Sequence, residues 1–315
     1  MTPSPLMQQL KERCRLRQKT IMFPESNDER VVQACQMAQR EGLFKSILIG
    51  HNPGNDLEYR HPDEDPQLKE HAEWYRQHLK RLIPLEEACD DIRENPNLYG
   101  ALLVRTGITH GGVSGSNSPT ASIIRAGLRG IGMERSLISS CFLMIRENTF
   151  LGYGDCGVVP VPSLEQLVEI ALSPAKTYQL LTQQEPRIAF LSFSTLGSAD
   201  HSCLDPIRGA VKRLRESHPQ LAVDGELQFD AAFLPQVATR KCPNSSVGGK
   251  ANVFIFPDLN SGNIAYKITK RLGGFVALGP LIQGFKAPWM DLSRGCSVED
   301  ILYVAVIATL MDRLI

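Results

Sequence analysis

Residues 291–301 read DLSRGCSVEDI: a hydroxyl (Ser293), a permanent positive charge (Arg294), a thiol (Cys296) and a carboxylate (Asp300), just ahead of a strongly apolar run. A guanidinium next to a hydroxyl suits a phosphate, which it meets through paired charge-assisted hydrogen bonds. A carboxylate nearby can take a proton from an attacking group. The same letters also read as structure, because Ser297 and Asp300 are spaced S-x-x-D, a capping box at the mouth of a helix. Asp300 therefore has two readings, base and cap, and Cys296 reads as a packed small thiol.

Three further loops follow apparent strands. GGVSGSNSPTASIIRAG (111–127) is a Gly/Ser turn running into a helix that carries Arg125; SFSTLGSA (192–199) is rich in hydroxyls; FPDLNSGNIAYK (256–267) sets Asn260, Ser261 and Gly262 at a helix start. Small residues let backbone N–H groups approach a ligand, and helix N-termini favour anions. One such loop is ordinarily just a turn. Four in one chain point to a phosphate-bearing ligand, with Ser114, Thr120, Ser194, Thr195, Asn260, Ser261 and Asn263 as the side chains set to contact it.

The elements that must position these loops alternate. TIMFP (20–24), SILIG (46–50), ALLVR (101–105), RIAFLSFS (187–194), NVFIFPD (252–258) and GFVALGPLI (274–282) read as buried strands. Helical periodicity marks 163–183, 205–217 and 261–272, and a helix after the first strand, capped by Ser26 with Glu29 and stopped by Gly42. HNPGNDLEYRHPDEDP (51–66) reads as a surface excursion. The last helix is apolar nearly all round from Ile301 to Met311, so it is expected to be buried, and its first-turn N–H groups then need partners. Strands alternating with helices predict an α/β fold with mainly parallel sheet.

Two literal motifs fail their context. GYGDCG (152–157) matches G-x-G-x-x-G, but VVPVP follows it and cannot open the phosphate-binding helix. VGGKA (247–251) lacks the first glycine and the final Ser or Thr of a P-loop. A chain of 315 residues suggests two domains. With 34 acidic and 34 basic residues it carries no global charge to attract nucleic acid or an anionic membrane, so any anion site is local. The N-terminus lacks the apolar core of a signal peptide, and the stretch ILYVAVIATLM falls short of the roughly 20 residues that span a bilayer. Eight cysteines without a C-x-x-C pair point to reduced thiols and no metal site. The expected location is the cytoplasm.

DLSRGCSVEDI, GKANVFIFPDLNSGNIAYK (249–267), DGELQFDAA (224–232) and FPESNDER (23–30) together strongly resemble the phosphate acetyltransferases, and SFSTLGSA is similar to that family's Ser-Thr-Lys-Gly-Ser loop. The resemblance implies reversible acetyl transfer between coenzyme A and phosphate, with coenzyme A/acetyl-CoA and phosphate/acetyl phosphate as partners and no metal or redox cofactor. It implies two α/β domains related to isocitrate and isopropylmalate dehydrogenases, with the active site in the cleft. Residues 1–138 plus 285–315 would form domain one and 139–284 domain two, the dimerising one of a homodimer. In the family's pattern Asp300 is the base for the thiol, Ser293 orients the thiol or meets the oxyanion, and Arg294 and Arg125 hold phosphate. The family's lysine is Leu196 here, its usual His and Asp ahead of Arg125 are Ser118 and Ser122, and its Pro is Ala126. A further family arginine falls near His78, with Lys80 and Arg81 close by. These departures leave two rivals open: a butyryl-type transferase, and a domain that only binds acetyl-CoA or acetyl phosphate.

Overall fold

A short helix, α1 (Pro5–Arg15), precedes β1 (Thr20–Phe23), whose Ile21, Met22 and Phe23 are all buried. The structure, a computed structural model, describes residues 4–79 and 82–311. After β1 come α2 (Glu29–Arg40), β2 (Lys45–Ile49), β3 (Glu58–Arg60), α3 (Leu68–Gln77), α4 (Leu85–Glu94), α5 (Pro96–Arg105), β4 (Gly111–Val113) and α6 (Thr120–Gly130). The middle of the chain holds β5 (Ser139–Arg146), β6 (Thr149–Gly154), α7 (Leu164–Thr182), β7 (Arg187–Leu191), α8 (Asp205–Ser217) and β8 (Ala222–Leu227). It continues with α9 (Phe229–Phe233), α10 (Pro235–Lys241), β9 (Val253–Ile255), α11 (Leu259–Arg271) and β10 (Val276–Gln283). The chain ends in β11 (Trp289–Met290) and α12 (Val298–Leu310).

These elements form two units. Met7–Ser136 with the described residues from Gly284 onward makes one, and Leu137–Gln283 with the described residues before Met7 makes the other. The first has a five-stranded sheet ordered β11-β4-β1-β2-β3, parallel at every pairing. Parallel sheets are covered on both faces, which is why residues 21–23 of β1, 47–49 of β2 and 111–113 of β4 read as short apolar or glycine runs. The second has six strands ordered β10-β5-β6-β9-β7-β8; β5 runs antiparallel to β10 and β6, and β6, β9, β7 and β8 are parallel. This is the α/β, mainly parallel architecture that the alternation predicts.

Helix α12 is buried along its whole length from Ile301 to Leu310 and packs on α2, β4 and β1. Its N-terminus carries a complete capping box. The Ser297 hydroxyl accepts from the Asp300 amide at 3.1 Å, and Asp300 Oδ2 accepts from the Ser297 amide at 3.1 Å.

Three expectations need correction. ALLVR is the end of helix α5, not a strand: an all-apolar run of five carries no periodicity, and Asn95-Pro96 sets the helix going instead. The Asn95 side chain accepts from the Leu98 amide at 3.1 Å, and Asn97 to Val104 are all buried. The cap of α2 is Asp28, whose carboxylate accepts from the Arg30 amide at 2.9 Å, while the Ser26 hydroxyl instead donates to the Ile49 carbonyl at the end of β2. The excursion at 51–66 contributes β3, a three-residue parallel edge strand whose charged Glu58 and Arg60 blunt the sheet edge.

Removing the Asn95 cap tests the helical assignment. Asn95→Ala should lower unfolding stability in urea by about 0.5–2 kcal/mol, the usual worth of a helix cap, whereas a strand at 101–105 would leave it unchanged.

Candidate active site

Strands β11, β4 and β1 lie side by side, and β1 is the point from which the chain runs outward in opposite directions, to β2 on one side and β4 on the other. Ligands of parallel sheets sit beyond the carboxyl ends of strands at such a reversal. Three loops meet there: 24–28 after β1, 114–119 after β4, and 291–297 after β11.

Glu25, only 7% exposed, organises them. Its Oε2 accepts from the amides of Gly115 (2.8 Å) and Ser116 (2.7 Å) and from the Ser116 hydroxyl (2.8 Å). Its Oε1 accepts from the amides of Asn117 (3.1 Å) and Ser118 (2.7 Å). Burial by itself would raise the carboxyl, but the donors of Ser118, Ser116 and Asn117 outweigh it and hold Glu25 below the usual carboxylate range. The amides of this Gly/Ser turn were expected to cradle a ligand phosphate. They form a nest, as small residues allow, but its anion is the chain's own carboxylate.

Asp291 closes the arrangement from the third loop. It is fully buried; Thr120 Oγ1 donates to its Oδ2 at 2.6 Å, and Oδ1 has no hydrogen-bond partner among the described residues. Burial pushes its carboxyl up to about 6 against the Thr120 hydrogen bond and the adjacent Leu292 amide, and the nearby Glu25 charge pushes the same way as burial. Gly115 makes the approach possible. It sits at φ +104°, and a Cβ there would lie 2.2 Å from Asp291 Oδ1 and 2.7 Å from the Leu292 nitrogen.

Against this base the predicted site residues divide. Ser293 and Arg294 are exposed, in a turn closed by the Cys296 amide donating to the Ser293 carbonyl at 2.9 Å. Asp300 is half-buried in its capping box, and Arg125 is exposed on α6. Thr120 is committed to Asp291, and Ser114 is buried with its hydroxyl donating to Asn97 Oδ1 at 2.6 Å. Burial pushes the Cys296 thiol up to about 11, so it is held as a thiol, in line with a packing role. Ser118 and Ser122 serve the loop: Ser118 accepts from Asn97 at 3.1 Å, and Ser122 donates to the Pro119 carbonyl at 2.8 Å. His78 ends α3 and stacks on Trp74, and Lys80 and Arg81 lie outside the described residues.

In the unit of residues 137–283 the loops after β6, β7, β8 and β9 gather at the carboxyl edge of the parallel strands, and the same device recurs. Asp155, in the GYGDCG stretch, accepts from the amides of Gly157 (2.9 Å), Val158 (3.3 Å) and Val159 (2.7 Å) and from the Ser140 hydroxyl. Glu226 accepts from the Gly197 amide (2.8 Å), the Ser194 hydroxyl (2.9 Å) and both Nε (2.9 Å) and Nη2 (3.0 Å) of Arg208. Burial opposes its charge, yet Arg208, Gly197 and Ser194 bring Glu226 down to about 2. Ser194 and Thr195 are therefore buried inside a loop folded around Glu226, and Leu196 takes a left-handed backbone at its exposed tip, φ +43°. Ser261 closes the Asp258 cap of α11 (2.8 Å), Asn263 donates to the Cys156 carbonyl (3.1 Å), and Asn260 is exposed at the helix start. Gly262 lets α11 reach the Asp155 loop, since a Cβ there would stand 2.3 Å from the Asp155 carbonyl oxygen.

Glu25 lies in FPESNDER and Glu226 in DGELQFDAA, so both fall within stretches that carry the family resemblance. Nothing local marks either as buried. An acid at or just past the end of a strand reads as solvent-facing until its partner loop is known.

The family model "Phosphate acetyl/butaryl transferase" matches residues 5–309. A phosphate acetyltransferase of Acetivibrio thermocellus is 40% identical over 326 aligned positions covering 98% of each chain. A crystal structure of a phosphotransacetylase from Streptococcus pyogenes superposes with a TM-score of 0.92 at 39% identity over 98% of each chain. At the level of fold alone, a 4-hydroxythreonine-4-phosphate dehydrogenase of Klebsiella pneumoniae matches with a TM-score of 0.51 at 11% identity, over 93% of this chain and 100% of that one.

The buried acid of the third loop gives a pH test. A carboxyl raised from 3.8 to about 6 contributes stability that is fully present below the unfolded value and is lost as pH rises through the folded one. Asp291→Asn removes this titration. From pH 5 to pH 8, urea denaturation should show the wild type losing about 1–2 kcal/mol relative to the variant. Parallel stability profiles would contradict the raised acid.

Proposed function

The chain belongs to the phosphate acetyl/butaryl transferase family, and from that membership we propose that it transfers an acetyl group reversibly between coenzyme A and inorganic phosphate. In the thioester-forming direction the thiol sulfur bonds to the carbonyl carbon of acetyl phosphate. The carbon–oxygen bond to phosphate breaks, phosphate leaves with the electron pair, and the thiol proton passes to a base. No electron is gained or lost, so the step as written calls for no redox cofactor.

One observation carries the assignment of roles. The loop amides at the edge of the five-stranded sheet are taken up by Glu25, so charge on a bound phosphate has to be met by side chains. Arg294 and Arg125 are exposed guanidiniums, one on the loop after β11 and one on the helix after the β4 loop. We assign phosphate to this pair, the tetrahedral oxyanion or the thiol to Ser293, and the proton to Asp300. Asn260, exposed at the start of α11, is assigned to substrate binding in the other unit. The relatives that cover nearly the whole chain bear the acetyl name, which supports acetyl over butyryl transfer and an enzyme over a binding domain.

Among the described residues no helix is long and apolar enough to cross a membrane, and all eight cysteines are unpaired, which supports a reducing, cytoplasmic setting. The homodimer of the resemblance has support in α11. Ile264, Ile268 and Leu272 stand one turn apart and are 57%, 52% and 85% exposed, an apolar stripe suited to a second copy. Sedimentation velocity should show a dimer that Ile268→Glu dissociates; a wild-type monomer at micromolar concentration would remove this reading.

The activity itself is tested by following thioester absorbance with CoA and acetyl, propionyl and butyryl phosphate. Acetyl phosphate should be the best substrate, and silence with all three would leave only a binding domain. Asp300→Asn separates cap from base, because an amide still accepts the Ser297 amide's hydrogen bond but takes no proton. The kcat at saturating substrates should fall roughly 10²- to 10⁴-fold with little change in Tm. Near-normal turnover would make Asp300 a cap alone.

A further inference from the structure

Arg30, in the first turn of α2, connects the two loops on which the proposed chemistry rests. Its Nη1 donates to the carbonyl oxygens of Arg294 and Cys296, both at 2.9 Å, and its Nη2 donates to the Ser116 carbonyl at 3.1 Å. Asp28 grips the other side of the guanidinium, with Nε to Oδ1 at 3.1 Å and Nη2 to Oδ2 at 2.7 Å. The same Asp28 caps α2, so the cation is fixed to the helix rather than tethered by a flexible stem. Ser116 belongs to the nest around Glu25, while Arg294 and Cys296 flank the tip of the DLSRG turn. One planar group thus bonds to backbone oxygens 178 and 180 residues apart along the chain, counted from Ser116 to Arg294 and to Cys296.

We propose that Arg30 is a positioning residue of acyl transfer, locking the DLSRG turn onto the 115–118 loop and thereby setting where the Arg294 guanidinium meets phosphate. The proposal rests on the function assigned above. Arg30 spends its donors on carbonyl oxygens and on Asp28, so it acts on the reaction through the backbone of Arg294. Only a fork of several N–H groups can serve three carbonyls and a carboxylate at once. A lysine ammonium, with three donors at one point, cannot span them.

The experiment compares wild type, Arg30→Lys and Arg30→Gln in the thioester assay, with and without millimolar guanidinium chloride. It is paired with hydrogen exchange of the amides of 115–118 and 293–297. For both variants kcat/KM for acetyl phosphate should drop roughly 10- to 100-fold, the usual effect of misplacing a catalytic group by about an ångström. KM for CoA should move little, guanidinium ion should restore part of the loss in Arg30→Gln, and both segments should exchange faster. A purely structural role would lower Tm and depress both substrates alike without rescue, and that result overturns the proposal. So does a kcat/KM for acetyl phosphate that stays near the wild-type value in both variants. A wild type without activity overturns the acyl-transfer reading instead, and an active wild type with unimpaired variants overturns this one alone.

Discussion

A carboxylate taken out of water must be given donors or it unfolds its surroundings, and Glu25 meets that demand with five hydrogen bonds from one short loop. The effective penalty for burying such an ion is several kcal/mol, and hydrogen bonds to a charged group return about 1.5–3 kcal/mol each. The balance favours the folded loop only if every donor is in place. Much of the local sequence follows from this: a glycine at 115 for the left-handed turn and the close approach to Asp291, and small hydroxyl residues whose amides can converge on one point. Because Glu25 follows β1 and the nest follows β4, the same interaction fixes the alignment of the two strands at the end where the candidate site lies.

The unit of residues 137–283 uses the principle twice more, with Asp155 inside the turn after β6 and Glu226 inside the loop after β7. In each case a loop with the composition of a phosphate cradle is closed on an internal acid. The consequence for chemistry is a division of labour. Backbone and buried carboxylates make a rigid base, and in the assignment proposed above the charge offered to a substrate resides on exposed side chains, Arg294 and Arg125 above all. A site of this kind is preorganised by its supporting shell rather than by its ligand, which lowers the ordering cost of each turnover.

The mouth of α12 joins a helix cap to the turn on which the proposed chemistry rests. A helix buried along ten residues must satisfy its first-turn amides locally, and the reciprocal Ser297–Asp300 bonds help to do so. The turn just ahead of this box carries Ser293 and Arg294 into solvent, and Cys296, buried and protonated, packs beneath it. Asp300 caps the helix through Oδ2, and the proton transfer proposed for it would use the same carboxylate. Of the two readings of DLSRGCSVEDI, the capping box is the one visible in this geometry.

What the sequence by itself determined was whatever depends on neighbours along the chain. Alternating strands and helices, the capping box at 297–300, the buried last helix and the long family motifs are all local patterns. They survive in the structure because hydrophobic periodicity and cap chemistry act within a few residues. ALLVR failed for the complementary reason: five apolar residues have no period, and only the packing around α5 decided helix over strand. Tertiary structure alone decided who fills each loop. Glu25 meets Ser116 across 91 positions and Thr120 meets Asp291 across 171, pairings set by the order of strands in the sheet. A Gly/Ser loop has the same composition whether its nest holds a substrate phosphate or a buried glutamate, because the amides that bind either anion belong to the backbone and leave no letter in the sequence.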